Sequence, residues 1–387
     1  MSKIISIKAR EVLNSKNDKT VEVVLETTKG KFTSSIPSGV SKGSYEAVEI
    51  DVKQAIKNIE EIIFPELKGK DSREQKKIDK IMIELDGTKD KSKLGANAIL
   101  PISLSLARSA AFAEGVPLWK WISELSSLKY SLPKPCMLFV EGGLHGFGKL
   151  NTQEFMLVLK ERSLKESLNT GIEIYTHLNN SLNEKYGALE TGLEGGLIPP
   201  LDETEQVLDL IMESKKGNTS FFLDMAASEF FENNQYNFEE QSFSKKEMVH
   251  YYLNLKKKYP IELIEDPFSL QDLESWKMLH NNNVYVVGDD LLATNTNRMK
   301  EYSSLCNAMI LKPNQVGTVT ESIEAAILAK QLSWKVIVSH RGGETCDSFI
   351  ADFAVGVGSD FAKLGGPFQK QRKIKYDRLL AIEQELC

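Results

Sequence analysis

Residues 261–312 read IELIEDPFSLQDLESWKMLHNNNVYVVGDDLLATNTNRMKEYSSLCNAMILK, and three short apolar runs within them lead into charge. Leu263-Ile264 runs into Glu265-Asp266, Val284-Tyr285-Val286-Val287 leads through Gly288 to Asp289-Asp290, and Met309-Ile310-Leu311 ends on Lys312. Short apolar runs rich in β-branched residues are strands buried on both faces, and the segments between these are long enough for helices. Strands alternating with helices imply a parallel sheet. In barrels of this kind the carboxyl ends of the strands carry the chemistry. Two acidic strand ends followed by a lysine suggest a divalent cation beside a base.

Working outward, the same pattern marks strands at 136–140, 155–159, 221–223, 336–338 and 361–363. With 261–264, 284–287 and 309–311 these make eight strands, which predicts a closed α/β barrel. Only a loop separates the first two, so the barrel should open with a departure from strict βα alternation. Ahead of it, the alternation at 20–25, the turn Lys29-Gly30 and the return at 31–36 predict a hairpin. Pro37-Ser38-Gly39-Val40-Ser41-Lys42-Gly43 breaks regular structure, as a plain connection or as a mobile lid. Helical periodicity follows at 48–63 and 78–85, then in the Ala-rich stretch 96–113, where Pro101 should introduce a kink. Pro133 and Pro135 stiffen a connector. The predicted division is a small α+β capping domain, 1–130, and the barrel, 131–387.

The 387 residues include 26% charged side chains of both signs, with a net charge of -6, so no basic face is available for a nucleic-acid backbone. No apolar run reaches membrane-spanning length, and the amino terminus lacks the continuous apolar segment of a signal peptide. Cys136, Cys306, Cys346 and Cys387 lie far apart without metal spacing, so reduced thiols in a cytoplasmic protein are expected.

Asp224, Glu265 and Asp289 stand at three successive predicted strand ends. Each could cap the following helix, but three in a row followed by lysine suit Mg²⁺, which takes oxygen ligands in octahedral geometry. Lys312 alone would be a counter-ion; partial burial and nearby metal ions would lower its pKa and make it a base. Arg341 offers a two-pronged fork for a phosphate or carboxylate, His340 a donor to the same group, and Lys363 a further cation. His145 lies in Glu141-Gly142-Gly143-Leu144-His145, Glu154 follows Gln153, and Glu194 is flanked by glycines. If Glu154 and Glu194 meet, repulsion would raise the pKa of one and keep it protonated as a general acid. His177, His250 and His280 fall in helical patterns and carry no assigned role.

Over nearly its whole length the chain resembles enolase. The most specific blocks are Leu94-Gly95-Ala96-Asn97-Ala98-Ile99-Leu100, Gln153-Glu154-Phe155-Met156, Ala227-Ser228-Glu229-Phe230-Phe231, Ile264-Glu265-Asp266-Pro267-Phe268, Gly288-Asp289-Asp290-Leu291, Lys312-Pro313-Asn314-Gln315-Val316-Gly317-Thr318 and Ser339-His340-Arg341. The resemblance implies an enolase-type α/β barrel behind a capping domain. It also implies a glycolytic hydro-lyase that interconverts 2-phosphoglycerate and phosphoenolpyruvate, in a homodimer or higher homo-oligomer. By motif, Asp224, Glu265 and Asp289 would hold one Mg²⁺, and Ser41 would help hold a second when the loop closes. Lys312 would be the base and Glu194 the acid, supported by Glu154 and His145. Gln153, His145, Glu154, His340 and Arg341 would contact substrate, with Lys363 on its carboxylate. The alternatives on the same fold are a binding or scaffold paralogue and another acid-base lyase of the superfamily. Against the usual pattern, Leu193 replaces an aspartate, Gly342 a serine and Glu141 an asparagine. Residues 15–19 differ where the family supports its dimer, and the segment after Glu49 is shortened.

Overall fold

The structure is a computed structural model that describes residues 1–387 except 40–42, 44, 283 and 387. It opens with an antiparallel sheet of three strands, β1 (Ile4–Leu13), β2 (Lys19–Thr27) and β3 (Gly30–Ser35), in which β2 and β3 are the predicted hairpin. β1 is an addition. Its turn into β2 is made locally: the Asn14 side-chain oxygen accepts the backbone N–H of Lys16 and Asp18, and Asn17 takes a left-handed φ of 63°. Helical structure then begins at Val52, where the Asp51 carboxylate caps the N–H groups of Lys53 and Gln54. The chain widens into a π turn at Ile59–Ile63 just before Pro65, whose missing N–H and bulky ring would disturb a tight α turn there. The helix Ala96–Glu114 runs continuously through Pro101 and is buried along most of its length.

The eight predicted barrel strands all form. They are β4 (Lys134–Glu141), β5 (Glu154–Leu159), β6 (Thr219–Asp224), β10 (Ile261–Glu265), β11 (Tyr285–Gly288), β12 (Ala308–Leu311), β13 (Lys335–Ser339) and β14 (Phe361–Lys363). A separate small sheet, β7 (Phe231–Glu232), β8 (Gln235–Phe238) and β9 (Gln241–Phe243), interrupts the series. The closed order is β10-β11-β12-β13-β14-β4-β5-β6. β5 pairs antiparallel with both neighbours while the other pairs run parallel. That is the expected irregular opening, since a loop alone can return a chain only antiparallel. Cys136, Leu138, Met156, Phe222, Leu263, Ile310 and Phe361 belong to an apolar cluster made of barrel-strand residues, apart from the larger core in which barrel and helices share.

Strand direction decides what reaches the rim at the carboxyl ends of the parallel strands. Seven parallel strands deliver their last residues there, whereas reversed β5 delivers its first. Glu154 is therefore paired across from Glu141 on one side and Asp224 on the other. Round the eight-membered ring, β12 and β5 are four strands apart in either direction. Lys312, just past β12, thus faces Glu154 across the barrel. One arc between them, β11, β10 and β6, bears acids, and the other, β13, β14 and β4, bears His340, Arg341, Lys363 and Glu141.

Candidate active site

One cleft at this rim is lined by His145, Gln153, Glu154, Glu194, Asp224, Asp289, Lys312, His340, Arg341 and Lys363, so most of the residues singled out in the sequence meet. Ser41 lies outside the described residues. Asp224, Glu265 and Asp289 are buried at the ends of adjacent strands, as three strand-end carboxylates should be.

From the opposite arc, the Lys363 side chain reaches across to the acids. Its Nζ lies 3.0 Å from Asp224 Oδ2, 2.8 Å from Glu265 Oε2 and 3.1 Å from Glu154 Oε1. Burial works against its charge, but these carboxylates outweigh burial and hold its pKa well above the ordinary lysine value. Lys312 binds Asp289 Oδ2. Burial would lower the Lys312 pKa, but the Asp289 charge outweighs burial and holds it above the ordinary lysine value; the lowering expected from the sequence invoked nearby metal ions as well as burial. Gln315 orients Asp289, donating Nε2 to Oδ1 at 2.9 Å, while its own Oε1 accepts from Thr294 at 2.5 Å.

Asp266 was passed over in the sequence because it adjoins a stronger candidate. It sits at φ 40°, and its carboxylate accepts the N–H groups of Asp289 (3.1 Å) and Asp290 (2.9 Å), which ties β10 to the Asp289 loop. Ligand-capable oxygens of Asp266, Asp289 and Asp290 fall within 4.8 Å of one another. Burial and then the adjacent aspartates push Asp266 well above the carboxylate range and Asp290 up to about 7. Burial, followed by the Asp224 charge, likewise raises Glu265. Carboxylates crowded and desolvated in this way favour either protons or a cation, and an all-oxygen donor set suits a hard divalent one.

On the far side, atoms of His145, Glu154 and Glu194 lie within 4.8 Å of one another, and His145 Nδ1 is 3.7 Å from Glu154 and 3.8 Å from Glu194. His340 Nε2 lies 2.9 Å from Glu194 Oε2, within ion-pair distance but not aligned as a hydrogen bond. His340 therefore stands beside Glu194. Burial pushes it down to about 4 and lowers His145 too. Of the meeting pair Glu154 and Glu194, the one raised is Glu154, by burial, and the one lowered is Glu194. Burial opposes that lowering, and His340, His145 and Arg372 outweigh it. Because both imidazoles are themselves pushed toward neutrality, Arg372 is the permanent cation of the three.

Arg341 meets Glu46 with both terminal nitrogens, at 2.8 and 3.1 Å, and also donates to Asn314. Glu46 and Arg372 are not singled out in the sequence, and Glu141 is noted there only as a replacement in the family pattern. Glu46 is an isolated acid past an irregular stretch, and Arg372 lies in a helix of mixed charge that resembles a solvated surface. Only the replacement at Glu141 gave a signal.

Two family descriptions match the chain: Enolase, N-terminal domain, over residues 4–122, and Enolase, C-terminal TIM barrel domain, over 129–387. The enolase of Methanocaldococcus jannaschii is 42% identical, with 99% of this chain and 95% of the relative covered. Enolase B of Dictyostelium discoideum is 41% identical over 99% of this chain and 95% of its own. The Methanopyrus kandleri enolase is 41% identical over 100% and 97%. With a closed barrel whose rim carries acids on one arc and cations on the other, and with both enolase domains matched in order, this chain belongs to the enolase family.

Proposed function

We propose that the protein is an active enolase that interconverts 2-phospho-D-glycerate with phosphoenolpyruvate and water, as in glycolysis. The observation that carries this reading is the placement of Lys312 and Glu154 four strands apart, with Glu194 beside Glu154 and the acidic arc between. A base that removes the C-2 proton and an acid that protonates the departing 3-hydroxyl must stand on opposite sides of the substrate. Lys312 is the base. Glu194 is the acid, with Glu154 as the proton-holding partner and His145 bridging them.

Asp224, Glu265 and Asp289 are assigned to one Mg²⁺ on the all-oxygen donor chemistry described above, and Ser41 to a second on the family resemblance alone. Bound Mg²⁺ supplies positive charge against the negative charge that grows on the substrate carboxylate. Lys363 and Lys312, which pair with these side-chain carboxylates, are assigned to the substrate: Lys363 would meet its carboxylate and Lys312 would take its C-2 proton. Arg341 holds the phosphate through its fork, with Gln153 completing the pocket beside Asp224 and His340 supporting Glu194. The molecule is assigned to the cytoplasm as a homodimer, with 1–130 capping the 131–387 barrel.

The test is turnover of 2-phosphoglycerate by the purified, folded protein, followed by the ultraviolet absorbance of phosphoenolpyruvate. Activity should vanish with chelator, return with Mg²⁺, and fall by at least roughly 10²–10⁴-fold in Lys312→Ala, the range for loss of a positioned base. No turnover at saturating Mg²⁺ would sink the reading and leave a binding protein on an enolase fold.

A further inference from the structure

We propose that Glu141 is a positioning residue for the acid: its buried carboxylate anchors the glycine-rich loop 192–196 and thereby fixes Glu194. The inference rests on Glu194 being the acid. Glu141 reaches this position through an irregularity in β4. Leu138 pairs with Met156 and Val140 with Phe155, so two residues of β4 advance against one of β5. An extra residue reverses the alternation beyond it, which sets Glu141 directly opposite Glu154. The side chain is fully buried. Its Oε1 accepts the backbone N–H of Glu194 at 2.9 Å, and its Oε2 accepts that of Gly196 at 2.6 Å. One carboxylate thus holds the acid's own peptide unit and the one two residues on.

The loop is shaped around this group. A Cβ on Gly192 would stand 2.5 Å from Glu141 Oε2, and one on Gly196 would stand 2.9 Å from its Cγ. Backbone pairing of Glu141 N–H with Leu197 O, and of Leu197 N–H with Phe139 O, seats the loop's exit on the same strand. From the opposite side Arg372 donates to Leu193 O at 3.4 Å and to Gly342 O at 2.7 Å, joining the acid loop to the Arg341 turn. Burial and the Glu194 charge push Glu141 up to about 8, and the two N–H donors and Arg372 work against that rise. A carboxyl group can accept on both branches, whereas an amide of the same shape turns a donor toward one of the two N–H groups and leaves it unsatisfied. The requirement at 141 is therefore for two acceptors, and shape alone does not meet it.

The experiment compares two half-reactions in Glu141→Gln, Glu141→Asp and Glu194→Gln, all in the full chain with Mg²⁺. Dehydration is read as phosphoenolpyruvate formation. Lys312 action is read by NMR as exchange of the substrate C-2 hydrogen for deuterium from D₂O. Glu194→Gln should lose dehydration and keep exchange, which tests the assignment of the acid independently. Glu141→Gln should lose roughly 10²-fold or more in dehydration, the lower range for a displaced general acid, with exchange and KM changed only a few-fold. Glu141→Asp, shorter but still a double acceptor, should retain more dehydration than the Gln variant. Several results would overturn the inference: equal loss of both half-reactions, Gln outperforming Asp, full activity in Glu141→Gln, or failure of both variants to fold. If Glu194→Gln dehydrates normally, the acid assignment itself fails, a result distinguishable from the others.

Discussion

Both terminal nitrogens of Arg341 are engaged by the Glu46 carboxylate, a two-pronged charge-assisted pair in a site that is 5% exposed on the arginine and 9% on the glutamate. The planar fork that grips a carboxylate is the one suited to a phosphate, and a lysine cannot reproduce it. Arg341→Lys should therefore raise KM for 2-phosphoglycerate roughly 10- to 100-fold, the equivalent of one lost charge-assisted hydrogen bond, with a smaller fall in kcat. Initial rates over a range of substrate concentration decide it, and an unchanged KM would place the phosphate elsewhere. This residue was legible in the sequence because it follows a buried strand. Its partner was not, because nothing local links Glu46 to a barrel strand almost 300 residues away. The same limit hid Arg372, whose importance lies in three carbonyls brought to it from two loops.

Elements were easier to read than their partners. The barrel strands announced themselves as apolar runs ending in charge, whereas β1, with exposed Lys3, Lys8 and Arg10 around its turns of chain, did not look like a strand until β2 paired with it. The irregularity in β4 has no sequence mark, since it depends on register against β5. Helix-to-barrel distance is similarly invisible in sequence but testable. Within the helix Leu164–Tyr186, a Cβ on Gly171 would come within 2.6 Å of Leu159 Cδ1 and 2.7 Å of Met137 Sδ. Gly171→Leu should overpack this contact and cost about 1–3 kcal/mol, or more than the helix-propensity gain of about 1 kcal/mol can offset. Calorimetry should show a lower Tm, while kcat per folded molecule stays near the parent value. A rise in Tm would mean that the helix can shift outward freely.

At the scale of the whole molecule, the amino-terminal elements are joined to the barrel by two buried groups of opposite pH response. Arg108 forms an ion pair with Asp347 at 2.6 Å, with side chains 20% and 10% exposed, and Asp347 also accepts the N–H groups of Ser35 and Phe349. Burial raises Asp347, but Arg108 and these donors outweigh it and leave its folded pKa below the ordinary value. That contribution is present above the unfolded value of about 4 and is lost as pH falls through the folded pKa. Asp79, wholly buried, accepts from Thr320 across the junction and from Gln75 one turn away in its own helix, and burial leaves its pKa raised. Its contribution is present below the unfolded value of about 4 and declines as pH rises through the folded pKa. The two substitutions should therefore separate. Arg108→Ala should lower stability at neutral pH by about 3 kcal/mol, the lower end for a buried pair broken on one side, with the deficit shrinking in acid. Asp79→Asn should raise Tm at neutral pH and lose its advantage in acid, because an amide keeps the acceptor for Thr320 and sheds the desolvated charge. Melting curves from about pH 7 to well below the unfolded aspartate value of about 4 read both, since the Asp79 change falls above that value and the Asp347 change below it. Parallel pH dependence in the two variants would show that the junction responds to net charge and that these two groups have no special hold on it.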